Sequence, residues 1–323
     1  MRFPSLVIAA LFLSVGSAVA CEGVAVEDPA IYGGDLCLDA VPERVVVLDP
    51  SFGLGVALDA GLQVVGAPLD AGLQVVGAPL DLMSDETLKA RAERAGVTSI
   101  GAVTEPSMEA IVALQPDLIL GFAGSDSMAS GIHPMASQLA PTLLYTNLDW
   151  RGFYRLLAPL GDKASAAAVE AKLADFEARM ADLRTRVPRD RTLSVVRITS
   201  WDFQVYMDAP VTYAPFALLR ELGVQRSAYE TTEDPSLSMK RPDLEELAAL
   251  DGDVLFYIVG GTNDSDSDGR FEEVTGNPLW QMLPAVEEGR AYRVDHAHWM
   301  EFSGLDAANA VLDDVERYLI GTP

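Results

Sequence analysis

The sequence predicts an α/β protein of two Rossmann-like lobes with parallel or mixed sheets, joined by one long backbone helix, with a ligand cleft between the lobes. Three observations predict it. From Lys163 to Val187 the chain has no Gly or Pro, and Val169, Leu173, Phe176, Met180, Leu183 and Val187 recur at steps of four and three. That spacing draws one apolar stripe along a helix about 37 Å long at 1.5 Å per residue. Strand-like and helix-like segments alternate on both sides of it, the pattern of a sheet covered on both faces. Finally, 323 residues exceed what a single core usually supports.

Residues 1–20 read as a signal peptide: Arg2, an apolar run from Leu6 to Val15, then Ala18-Val19-Ala20 as a cleavage site before Cys21. Residues 21–37 form an N-terminal arm. The first lobe, 38–162, opens with the buried strand Arg44–Leu48 and a helix from Phe52 to Ala60 closed by Gly61. DAGLQVVGAPL then occurs twice, at 59–69 and 70–80, a tandem duplication in which one Leu-Gln-Val-Val unit supplies a strand. A helix over Ser107–Leu114 is broken at Gln115-Pro116 and followed by the strand Asp117–Gly121. A helix around Met135–Leu139, the strand Thr142–Tyr145 and the segment Trp150–Leu160 lead to the long helix of 163–187, with Asp162 as its cap and Pro188 as its stop. In the second lobe, 188–323, strands are expected at Leu193–Ile198, Gln204–Met207, Val254–Ile258 and Ala291–Val294. Helices are expected at Tyr213–Leu222, Pro242–Leu250, Asn277–Leu283 and Leu305–Ile320.

Composition narrows the function. With 48 acidic against 23 basic residues the formal charge is −25, and such a surface repels nucleic acid and anionic lipid. Cys21 and Cys37 are the two cysteines. In an oxidising compartment they are expected to pair, although Cys21 also stands where an acylated lipoprotein cysteine would, which would anchor the protein through lipid. Asp264-Ser265-Asp266-Ser267-Asp268-Gly269 matches half of a calcium loop, but Thr275 stands where the closing Glu belongs, so a solvated loop and no metal are expected. A secreted α/β hydrolase is the remote alternative; the chain has no G-x-S-x-G, P-loop or H-E-x-x-H motif.

Six phrases are more specific than their periodicity. PERVVVLD (42–49), EPSMEAIVALQPDLILG (105–121), LAPLGD (157–162), ELGVQR (221–226), NPLWQMLPAVEEGRAYRVD (277–295) and GLDAANAVLDDVERYL (304–319) resemble the substrate-binding proteins of ABC importers for ferric siderophores, haem and cobalamin. The resemblance runs from about residue 38 to 320, and the long helix falls where that family has its spine; the duplicated unit departs from the pattern. It implies a periplasmic, monomeric, non-enzymatic binding protein without a cofactor, whose ligand is an iron chelate and whose partner is a permease dimer with its ATPase subunits. Haem and cobalamin are the alternative ligands, haem requiring a residue such as Tyr145 or His298 on its iron. The resemblance also implies that Glu109 and Glu245, one per lobe, dock into basic pockets of the permease, with Glu105 and Glu246 as neighbouring alternatives.

Ligands of open α/β sheets bind beyond the carboxyl ends of the strands. Cleft candidates are therefore Asp49, Ser51, Phe52, Phe122, Tyr145, Asn147 and Trp150 in the first lobe, and Arg197, Trp201, Tyr206, Tyr257, His298 and Trp299 in the second. Ferric chelates present flat or apolar faces and anionic oxygens, which call for aromatic rings and an Arg; Arg197, Trp201 and Trp299 suit this best. Trp150 has a second reading, packed beneath the long helix, and Tyr206 another, in the core with its hydroxyl satisfied. His296 and His298 alternate along what reads as an extended segment, so they are expected to face opposite ways. A continuous helix between the lobes resists bending, and only a small closing motion is expected.

Overall fold

The computed structural model of the chain describes residues 21–61, 75–78, 85–102, 105–123, 128–146, 149–161, 163–260 and 269–321. The expected signal peptide, Asn147, the expected cap Asp162 and residues 264–268 of the calcium-like loop lie outside them.

Five parallel strands make the first sheet, in the spatial order Thr98–Ser99, Val75–Ala78, Val45–Val47, Leu118–Phe122, Thr142–Tyr145. Val45, Val46 and Val47 are fully buried, as the β-branched run predicts for a strand covered on both faces. The partner of Val45 on one side is Val75, so the second copy of the duplicated unit supplies the strand, while residues 62–69 of the first copy lie outside the described residues. Chain order reverses between Val45–Val47 and Leu118–Phe122, which makes their carboxyl ends the switch point of the sheet.

The second sheet is mixed. Thr192–Ile198 lies between Val254–Val259, which is parallel to it, and Phe203–Tyr206, which is antiparallel; Ala291–Asp295 and Met239–Lys240 form the two edges. Gln225–Arg226 adds a short parallel pairing at the start of Thr192–Ile198.

Between the sheets runs the helix Lys163–Arg186, one residue short of its expected end. All six stripe residues are at most 4% exposed, and they belong to one continuous apolar core that includes Val45, Leu118 and Leu143 of the first sheet and Leu193 and Phe256 of the second. The helix is thus embedded in a core common to both lobes. At about 1.5–3 kcal/mol for each large apolar side chain buried, the stripe is a major contribution to holding the lobes together.

Several expected elements differ. Pro242–Leu250 contains only a short 3-10 turn at Glu246–Ala249, entered through reciprocal hydrogen bonds from Glu246 N to Asp243 Oδ1 (2.8 Å) and from Asp243 N to Glu246 Oε2 (3.2 Å). The helix expected around Met135 spans Met128–Ala136 and tolerates Pro134 inside it. Glu86–Arg94 is a helix begun by Asp85, whose carboxylate accepts from Leu88 N at 2.9 Å. The segment read as extended, His296–Met300, is a helix capped by Asp295, which accepts from Ala297 N at 2.7 Å.

The arm folds as a hairpin, Val24–Val26 against Leu36–Leu38, closed by the Cys21–Cys37 disulfide, and is tied to the first sheet by bonds from Tyr32 N to Leu144 O and from Thr146 N to Ala30 O. The thiol that lipid attachment would need is therefore taken up. Closing a loop with a sequence separation of 16 is worth about 3 kcal/mol in the unfolded chain. The Cys21→Ser, Cys37→Ser double variant is expected to lose up to about that much stability in urea, and an unchanged midpoint would show the loop to be unimportant.

Candidate functional site

At the switch point the chain leaves Val47 and turns at Asp49 into the helix Phe52–Gly61. The Asp49 carboxylate accepts from Ser51 N (3.0 Å), Ser51 Oγ (3.1 Å) and Gly53 N (2.8 Å), making the helix start rigid. Burial pushes its carboxyl above the usual range, and these hydrogen bonds pull the other way. Phe52, half-buried, stacks on Phe153 at 5.3 Å and meets Phe122 edge-on at 5.9 Å. The lobes come together beside it: a Cβ on Gly55 would lie 1.9 Å from Ser303 O, so only glycine permits this approach. Polar contacts cross the same seam, from Leu305 N to Tyr154 Oη (3.0 Å), from Asp85 N to Glu301 Oε2 (3.0 Å), and through Arg91, which bridges Asp59 (2.6 Å) and Asp306 (3.2 Å).

The second lobe brings Arg197 to the carboxyl end of its central strand, in register with Gln204 of the antiparallel neighbour. Tyr206 Oη donates to Gln204 Oε1 at 3.1 Å, and its ring stacks on Phe216 at 4.5 Å. Tyr213, whose hydroxyl donates to Met300 O at 3.0 Å, is driven far above the ordinary phenol range by burial and then by the field of Asp49 across the seam; Tyr206 and Glu301 add to this and Arg197 opposes it. One electrostatic neighbourhood therefore contains Asp49 from the first lobe and Tyr206, Tyr213 and Arg197 from the second.

Of the predicted cleft residues, Phe52, Arg197 and Tyr206 stand at this junction, and Trp201 projects from the turn after Arg197 with 65% of its surface exposed. Asp49, Ser51 and Phe122 lie beside Phe52 at the same place, whereas Tyr145, Trp150, Tyr257 and Trp299 do not join them. Trp299 is wholly buried, its indole N–H donating to Asp314 Oδ2 at 2.8 Å and its ring edge-on to Phe216 and Phe256. Tyr145 is buried against Phe153 at 4.9 Å, and burial together with Asp149 pushes its phenol up to about 12. Trp150 packs on Phe176 of the connecting helix at 5.3 Å, beneath the rod. Tyr257 alternates onto the outer face of its strand, stacked on Phe271 at 5.8 Å, whereas Arg197 shares the inner face with Val195. His298 lies in the field of Asp314, turned by the helix some 200° from His296. Tyr145, buried in the core, is not offered as a haem ligand.

The residue passed over was His296, whose Nε2 lies 3.1 Å from Arg197 Nη2; read as part of a strand, it had no reason to point there. Gln204 and Tyr213 were missed as well, since their roles arise from pairing across strands and lobes. A groove of about 830 Å³ flanks the junction between the arm, Trp150 and the segment Ala209–Glu221. Its arginines are engaged, Arg151 with Glu177 (2.5 Å) and Glu221 (2.8 Å), Arg220 with Asp208 (2.7 Å).

Two α/β sheets, one switch point facing a half-buried Arg, and a continuous helix behind them define a protein of the two-lobed solute-binding class. A family model described as periplasmic binding protein matches residues 67–297, and the chain belongs to that family. It is 30% identical over 294 residues to the probable siderophore-binding lipoprotein YfiY of Bacillus subtilis, covering 88% of this chain and 85% of the relative. With the Fe(3+) dicitrate-binding periplasmic protein FecB of Escherichia coli it shares 26% over 292 residues, 88% and 87% of the two chains. Staphylococcus aureus SirA, solved with staphyloferrin B, superposes with a TM-score of 0.72 at 19% identity over 92% of this chain and 98% of that one, a likeness of fold. Among the described residues no helix is long and apolar enough to cross a membrane.

Proposed function

We propose that this protein, exported by its first 20 residues and held as two lobes (38–162 and 188–323) about the helix 163–187, captures a ferric siderophore at the junction of the lobes. It then delivers the chelate to the permease of an ABC importer. The observation that carries this reading is Arg197: a half-buried guanidinium at the carboxyl end of the central strand, among aromatic rings, in no ion pair among the described residues. The names of the relatives, siderophore and Fe(3+) dicitrate binders, support the same class of ligand. Binding without turnover follows, since a binding site needs complementarity to the ligand itself and no group poised to attack it.

Trp201 supplies the test. The other three tryptophans are at most 4% exposed, so quenching by a ferric chelate is expected to come from Trp201 and to be mostly lost in Trp201→Phe. If no ferric citrate, catecholate or hydroxamate complex changes the fluorescence at micromolar concentration, while haem or cobalamin does, the ligand class is wrong.

Delivery is assigned to Glu109 and Glu245. Glu109 is exposed in the first turn of Met108–Leu114, a helix capped by Ser107, and Glu245 is exposed at the start of Glu246–Ala249. Reversing both charges, Glu109→Arg with Glu245→Arg, is expected to abolish uptake by cells while leaving chelate affinity within about twofold, since like charges across an interface are strongly disfavoured. Normal uptake by the double variant would remove these two residues from the docking surface.

A further inference from the structure

Arg197 carries a half-buried guanidinium with no anion among the described residues. Arg91, Arg151, Arg179 and Arg220 each reach a carboxylate, as expected in a chain with 48 acidic and 23 basic residues. Arg197 instead places Nη2 3.1 Å from His296 Nε2 and Nη1 3.5 Å from Gln204 Oε1, while its buried Nε has no hydrogen-bond partner. A guanidinium can only donate, so His296 must accept at Nε2 and carry its proton on Nδ1, neutral. The acids on neighbouring segments are engaged elsewhere. Asp295 caps the helix that begins at His296, Asp202 takes Arg241 and Thr199, and Asp49 across the seam takes Ser51 and Gly53.

Resting on the siderophore reading above, we infer that His296 is the positioning residue which, with Gln204, holds Arg197 by neutral acceptors alone, so that the cleft selects anionic iron chelates over uncharged ones. Two neutral acceptors orient the planar guanidinium without cancelling its charge. Gln204 is itself fixed by the Tyr206 hydroxyl, whose ring is clamped on Phe216, so the fork is preorganised. An anionic carboxylate or catecholate oxygen then adds ion-to-ion attraction to the hydrogen bonds it accepts from the guanidinium, which a complex without net charge does not.

The test compares ferric dicitrate, which is anionic, with a neutral ferric trihydroxamate, by fluorescence titration of the full mature protein. The wild type is expected to bind the anionic complex at least about tenfold more tightly, the equivalent of one charge-assisted hydrogen bond. His296→Leu removes the acceptor and is expected to weaken the anionic complex about tenfold while moving the neutral one less than about twofold. His296→Gln, which still offers an acceptor, is expected to restore most of the loss. A role in packing alone would weaken both complexes together and would not be rescued by Gln. Equal losses for the two complexes, or a wild type that prefers the neutral one, would overturn the inference and leave the siderophore reading standing. A wild type that binds neither of these, nor an anionic ferric catecholate, overturns both.

Discussion

Arg197→Ala is expected to weaken ferric chelate binding by on the order of 100-fold without destabilising the fold. A hydrogen bond to a charged group contributes about 1.5–3 kcal/mol, and the fork of Arg197 can offer an anionic chelate more than one. Stability should respond in the opposite sense. A half-buried cation with only neutral partners and one unpartnered nitrogen is unfavourable in the empty protein, so its removal relieves a desolvation cost. The urea midpoint of the variant is therefore expected to equal or exceed that of the wild type. This divergence separates a residue kept for binding from one kept for folding. An affinity within about twofold of wild type, or a large loss of stability, would take Arg197 out of the site.

The largest stability effect is expected at Glu230. Its side chain is 0% exposed and that of its partner Arg226 1%, and the carboxylate is the hub of the second lobe. It accepts from Ser194 Oγ (2.7 Å), Val195 N (2.9 Å) and Ser227 Oγ (2.9 Å) and pairs with Arg226, which in turn donates to Leu193 O (2.9 Å) and Tyr206 O (3.2 Å). Glu230→Ala leaves a buried guanidinium without its anion and is expected to cost about 3–5 kcal/mol in urea unfolding. The apolar double replacement Glu230→Leu, Arg226→Met removes both charges and is expected to recover most of that loss, since Arg226 Nη1 is already without a partner. Loss of less than about 1 kcal/mol in the single variant would show that the pair contributes little. Through Tyr206 O the same hub steadies the strand that carries Gln204, so the single variant should also loosen the anion fork.

The two-lobed plan was legible because it rests on periodicity. The stripe Val169 to Val187 reports a helix face whatever lies around it, and the apolar runs at Val45, Leu118 and Val254 report strands buried on both sides. The place of the candidate site was legible only where position at or just past a strand end decides it, as for Arg197 and Phe52. It failed where face or element type mattered. Tyr257 lies close to Arg197 in the sheet but on the other side of it, and Trp299 turned into the core because a cap at Asp295 made a helix of a segment read as extended.

The sequence by itself determined the fold class, the connecting helix, the strand that ends at Asp49 and the surplus of acid against which an unpaired Arg stands out. Tertiary structure alone decided which neutral groups meet that Arg, which copy of the duplicated unit enters the sheet, and which aromatic rings face the core. The reason is physical: hydrophobic periodicity is a local property written within a few turns of chain, whereas His296 meets Arg197 across 99 positions of sequence, a contact that exists only once two strands and a helix start have been packed into register.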